Sequence, residues 1–174
     1  MDVKEAISKR HSVRKYQDRD IPEDVIRELI DAARLAPSGH NTQPWRFFII
    51  KDSETKKKLQ MEKIFLQDFV CKSPLIIVCC ADPAVYGKES VQDDPNNQRA
   101  LRDLCIASSF LVLRATELGL GTCYVGWVDK EKIKSALNIP KGFVIPFVIT
   151  AGYPTEQPKP TPRKTIDEIV LRGI

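Results

Sequence analysis

Four short stretches carry side chains able to do chemistry. In residues 9–16 (KRHSVRKY), Arg10, Ser12 and Arg14 alternate, so an extended backbone turns all three to one side. Two guanidinium groups flanking a hydroxyl form a grip for phosphate or another anion, and the competing reading is a solvated basic stretch. Residues 36–47 (APSGHNTQPWRF) are a small, polar loop. Its Asn and Gln side chains both donate and accept, which suits a heterocycle, and Gly39 lets backbone approach a ligand. The same residues also make an ordinary turn, with His40 as a hydrogen-bonded loop residue. In residues 117–127, Gly119, Gly121 and Gly126 make tight backbone with donors available. They follow a helix rather than open one and lack the third spaced glycine, so they are no dinucleotide fingerprint. Residues 158–164 (PKPTPRK) end in Arg163 and Lys164, which could complete an anion site elsewhere or form a solvated tail.

Other chemistries have no motif here: no G-x-S-x-G, P-loop, H-E-x-x-H or deaminase pattern occurs. Five cysteines (Cys71, Cys79, Cys80, Cys105, Cys123) sit in apolar surroundings without a C-x-x-C pair, which predicts reduced, mostly buried thiols in the cytoplasm. His11 and His40 adjoin neither each other nor a cysteine pair, so no metal site is expected.

Positioning these stretches falls to predicted helices over 2–10, from Pro22 to Ala36, over 56–69, over 99–118 and over 130–137. Predicted strands span 45–51, 75–81, 123–128 and 144–151. The second half of the 99–118 helix is apolar nearly all round, so it should be buried on every side, most easily at a subunit interface. Residues 83–98 read as a polar loop and a candidate lid. Four prolines in 153–164 make an extended arm. Interspersed helices and strands give an α+β or α/β layered domain.

The chain has 174 residues with 43% hydrophobic and 29% charged, the size and makeup of one globular domain. No apolar run approaches the roughly 20 residues that span a bilayer, so no membrane partner is expected. Net charge is +4, and the Lys56-Lys57-Lys58 run has Asp52, Glu54 and Glu62 beside it, so no nucleic acid partner is expected either.

Taken in order, residues 10–16, 36–45, 115–122 and 162–164 resemble the nitroreductase family of FMN-dependent oxidoreductases, and the likeness runs end to end. The resemblance implies an α+β layered fold with a central mixed sheet, one domain over 1–174, an extended arm at 153–174, and an intertwined homodimer with two FMN at its interface. It implies that Arg10, Ser12, Arg163 and Lys164 hold the FMN phosphate and ribityl chain, with His11 beside them. Arg14 would reach the N1/O2 edge. Pro37, Ser38, Gly39, Asn41 and Gln43 would come from the partner subunit's loop or line the ring, and Val125 and Gly126 would lie over N5 through backbone N–H groups. The implied reaction is ping-pong: NADH or NADPH reduces FMN, and a nitroaromatic, quinone or similar small molecule reoxidises it. No side-chain acid or base is required. The alternative is an FMN carrier or redox sensor without efficient turnover. The helical insertion of longer members is reduced to 60–70 and 83–98, so acceptor identity does not carry over.

Overall fold

The computed structural model describes residues 1–87, 94, 96–156 and 158–173. The helices are α1 (Val3–Lys9), α2 (Glu23–Arg34), α3 (Ser53–Met61), α4 (Phe69–Lys72), α5 (Gln98–Glu117), α6 (Lys130–Leu137) and α7 (Ile166–Ile169). The strands are β1 (Trp45–Ile50), β2 (Leu75–Ala81), β3 (Gly121–Val125) and β4 (Val144–Gly152). They form one sheet in the order β1-β2-β4-β3.

Every residue of β2 is buried. Leu75, Ile77, Cys79 and Ala81 face a core built with Ile26, Leu29 and Ala33 of α2 and Leu104, Ala107, Leu111 and Ala115 of α5. Ile76, Val78 and Cys80 face a second core with Leu59 of α3, Val70 of α4 and Ile133 of α6. The sheet is therefore the middle of three layers, and a strand covered on both faces shows no alternation in its sequence. Burial also pushes the Cys80 thiol up to about 12 and makes it inert.

Four expectations change. The sheet is not mixed within the chain: all three ladders are antiparallel, because β2 and β3, which run the same way, are separated by β4 and never pair. The parallel pairing among the described residues is the single bridge Ser12–Thr122. The helix expected over 56–69 begins at Ser53, where Asp52 accepts from the Thr55 N–H at 2.7 Å, and ends at Met61, with Lys63 left-handed at φ 53°. β3 begins at Gly121 and ends at Val125, before Gly126 leads the chain out of the sheet. Cys105 is an exposed thiol: within the chain α5 is covered on one side, and Cys105, Ser109 and Phe110, 41% exposed, face outward, where the sequence reading placed a subunit interface. The lid expectation falls largely on residues 88–93 and 95, outside the described residues. No helix among the described residues is long and apolar enough to cross a membrane.

Glycine at 121 permits a close approach on which the N-terminal segment depends. A Cβ there would lie 2.5 Å from Val13 Cγ2. The Val13 N–H donates to the Thr122 carbonyl at 2.9 Å, and the Tyr16 hydroxyl bonds Thr150 Oγ1 at 2.7 Å and the Val13 carbonyl at 2.7 Å. Gly121→Ala is expected to cost about 1–3 kcal/mol by overpacking. Urea unfolding checks this, and Val13→Ala in the same background should restore part of the loss.

Candidate functional site

The segment carrying Arg10, Ser12 and Arg14 lies along the β3 edge of the sheet, tied by the Ser12–Thr122 bridge. The alternation does what the sequence suggested. Burial raises the Cys123 thiol, and Arg14, Ser12 and Arg10, all close enough to act on it, offset that rise only in part. Val13 points the other way into the core, and His11 goes with it, lining a cavity of about 570 Å³ with Thr116, Gly121, Pro158 and Pro160. His11 is thus set apart from the face of the three. The neighbouring lysines are neutralised: Lys9 pairs with Glu5 at 2.6 Å and Lys15 with Glu156 at 2.9 Å. Among the described residues Arg10 and Arg14 have no ion pair; Arg14 is exposed and Arg10 and Ser12 are half-buried beside Cys123, so neither guanidinium is neutralised by a carboxylate.

The loop after α2 is built from strained backbone. His40, Asn41 and Gln43 have φ of 52°, 56° and 48°. Left-handed backbone costs a side-chain-bearing residue roughly 1–2 kcal/mol, so other contacts must hold it. The Gln43 N–H donates to Ser38 Oγ at 2.9 Å, Gln43 Nε2 to the Asn41 carbonyl at 3.1 Å, and Arg46 to the Gln43 carbonyl at 2.9 Å. The Gly39 N–H donates at 2.8 Å to Asp103 Oδ2 on α5. That N–H is thus taken by a carboxylate, and Asp103, Arg102 and the Tyr86 ring lie at ordinary contact distance, 3.6–3.7 Å, from where a Cβ at Gly39 would stand. Burial pushes the Asp103 carboxyl up, but hydrogen bonds from Tyr86, Gly39 and Arg102 outweigh it and hold the group below its ordinary range.

At the end of β3, Val125 is buried in the second core, while Gly126 is open and Trp127 is 70% exposed. The bridge Phe65–Val128 brings residues 64–67 beside this end. There Gln67 Oε1 is buried with no hydrogen-bond partner, an acceptor ready for a donor. Nothing in the spacing around Gln67 marks it, and the same is true of Asp103. Pro37 is exposed at the start of the strained loop. Arg163 donates to Thr161 Oγ1 at 3.1 Å, and Lys164 is exposed beside it.

One chain does not bring all these groups together. The N-terminal segment meets the Thr116–Gly121 end of α5, whereas the 37–43 loop is bonded to Asp103. From Asp103 to Thr116 the helix runs about 20 Å at about 1.5 Å per residue.

The α+β layered domain thus carries an Arg-Ser-Arg face without an ion pair and a strained polar loop. Comparison with known proteins gives the class its name. The model of the nitroreductase family matches residues 7–65 and 60–153, and the chain belongs to that family. It is similar to the NADH dehydrogenase of Thermus thermophilus, 30% identical over 98% of this chain and 96% of that protein. It is also similar to the oxygen-insensitive NADPH nitroreductase of Helicobacter acinonychis, 24% identical over 78% of this chain and 79% of that protein. A nitroreductase family protein of solved structure from Clostridium novyi is 31% identical, with a TM-score of 0.78 over 97% of this chain and 91% of that one.

Because Arg14 has no ion pair within the chain, Arg14→Gln should leave the unfolding free energy of the cofactor-free protein within about 0.5 kcal/mol of wild type. Chemical denaturation checks this, and a loss several times larger would make Arg14 a structural residue.

Proposed function

We propose that the chain is an NAD(P)H-dependent oxidoreductase that uses FMN and works as a homodimer. The oxidoreductase class follows from the family and from relatives named for NADH dehydrogenase and NADPH nitroreductase activity. The observation that carries the cofactor is the face of Arg10, Ser12 and Arg14, left unpaired between two neutralised lysines. Arg10 and Ser12 suit a phosphate, with Arg163 and Lys164 of the arm able to close over it. Arg14 supplies a positive charge beside a ring that becomes negative on reduction. Val125 and Gly126 offer backbone at the open end of β3. When bound, FMN would take hydride from NADH or NADPH and hand the electrons to a nitroaromatic, quinone or similar small molecule. The protein's part is to bind, orient and neutralise; no side-chain acid or base is called for.

Three observations support the dimer. The strained loop is bonded to Asp103 of α5, whereas the N-terminal segment meets the Thr116 end of that helix, so a second copy could bring a loop to the arginine face. The outward side of α5 leaves Phe110 and Cys105 uncovered. The arm ends in Ile166, Ile169 and Leu171, all exposed, the last at 92%. At the opposite edge of the sheet from Arg10, α2 and β1 border a groove of about 1200 Å³ with Ile30, Leu35 and Ile49 in its walls. An arm from a second copy fits there by covering apolar surface.

The purified protein should show flavin absorbance, as isolated or after FMN is added, and NADH or NADPH should bleach it without oxygen. A colourless protein that takes up no FMN refutes the reading; FMN binding without repeated turnover favours the carrier or redox sensor. Arg14→Ala should slow reduction about tenfold or more and weaken FMN binding, with the fold kept.

Light scattering should give twice the 19.7 kDa chain mass. Removing residues 158–174 should yield monomer with weakened FMN binding, whereas a monomeric full-length chain rejects the dimer.

A further inference from the structure

Asp103 is the one carboxylate among the described buried residues, 1% exposed, and the binding scheme above does not use it. Its Oδ2 accepts from the Gly39 N–H at 2.8 Å and from the Tyr86 hydroxyl at 2.5 Å, and its Oδ1 from Arg102 Nε at 3.0 Å. The donors come from three places: the 37–43 loop, the short turn Pro83–Tyr86, and α5 itself. A carboxylate is buried only where donors replace its water, and charge-assisted bonds of this kind are the strong ones. The loop has need of such an anchor. Its left-handed residues His40, Asn41 and Gln43 follow directly on Gly39, where the loop is bonded to α5. The bond from the Gln43 N–H to Ser38 Oγ closes the loop on itself, so fixing Gly39 fixes the residues on either side. The Tyr86 ring packs over Gly39 and shares the same oxygen.

We propose that Asp103 is the positioning residue of the 37–43 loop: through Gly39 it holds Ser38, Asn41 and Gln43 in their binding geometry, and through Tyr86 it locks the Pro83–Tyr86 turn to that loop. The proposal rests on the flavin reading above. Asp103 acts through the loop and touches neither cofactor nor substrate.

Asp103→Asn keeps the shape but removes the charge and one acceptor oxygen. Tyr86→Phe removes one donor and leaves the bond to Gly39. The FMN dissociation constant, read by flavin fluorescence in the cold on folded protein, should rise roughly tenfold in Asp103→Asn and about threefold in Tyr86→Phe. The double variant should bind no more weakly than Asp103→Asn alone, because the phenol acts through the carboxylate. Amide hydrogen exchange over residues 36–44 should quicken in Asp103→Asn without FMN. It should stay as in wild type in Arg14→Gln, which weakens FMN binding away from the loop. Wild-type FMN affinity in folded Asp103→Asn, or additive losses in the double variant, would overturn the proposal. Should Asp103→Asn not fold, Tyr86→Phe decides: unchanged affinity and unchanged exchange overturn it. If the wild-type chain takes up no FMN, the flavin reading fails by itself. Exchange then judges the anchor: faster exchange over 36–44 in Asp103→Asn supports it, and unchanged exchange ends it.

Discussion

The strand Leu75–Ala81 is covered on both faces, and the other elements are arranged to keep it so. Its backbone polar groups have no water to turn to, so β1 on one side and β4 on the other satisfy them with antiparallel ladders. Its alternate side chains divide the apolar interior into two cores, one under α2 and α5, the other under α3, α4 and α6. Full burial of an aliphatic side chain is worth about 1.5–3 kcal/mol, so this strand anchors both layers at once. One consequence is that the sheet's edges, β1 and β3, lie at opposite ends of the molecule. The arginine face uses the β3 edge, and the apolar groove borders the β1 edge.

Helix α5 is the second organising element. One side is core. One polar residue on it, Asp103, reaches out of the core to the loop before β1 and to the turn after β2. Its other end meets the N-terminal segment through Thr116 and the Gly119–Gly121 turn, where Gly119 takes the left-handed conformation that ends the helix. The 37–43 loop and the N-terminal segment are therefore attached at different points along its length. Its outward side, with Phe110 and Cys105, is apolar and open. The proposed second copy would cover that open side.

Legibility in the sequence followed the range of the interaction. The Arg10-Ser12-Arg14 face was readable because alternation in an extended segment is local geometry. The interior strand was readable from an uninterrupted apolar, β-branched run, and the helix of residues 130–137 from its pattern. The start of α3 was missed because its cap, Asp52, lies before the periodic residues. The outward side of α5 was read as buried because apolar residues all round a helix show a need for cover without saying which molecule supplies it. Asp103 and Gln67 were invisible: a polar residue beside apolar ones carries no mark of whether it is buried or what it bonds.

What the sequence determined alone was the family, the α+β class, and a set of basic and polar residues suited to a phosphate and a heterocycle. These rest on residue types, short spacings and hydrophobic periodicity, which are encoded within a few positions of each other. The tertiary structure alone decided that the sheet is antiparallel within the chain and that His11 points away from Ser12 and the arginines. It also decided that Gly39 gives its N–H to Asp103 and that the loop and the N-terminal segment meet α5 at points about 20 Å apart along the helix. Each of these depends on which distant segments pack together, and that is settled by burying two faces of one strand, a property of the whole chain.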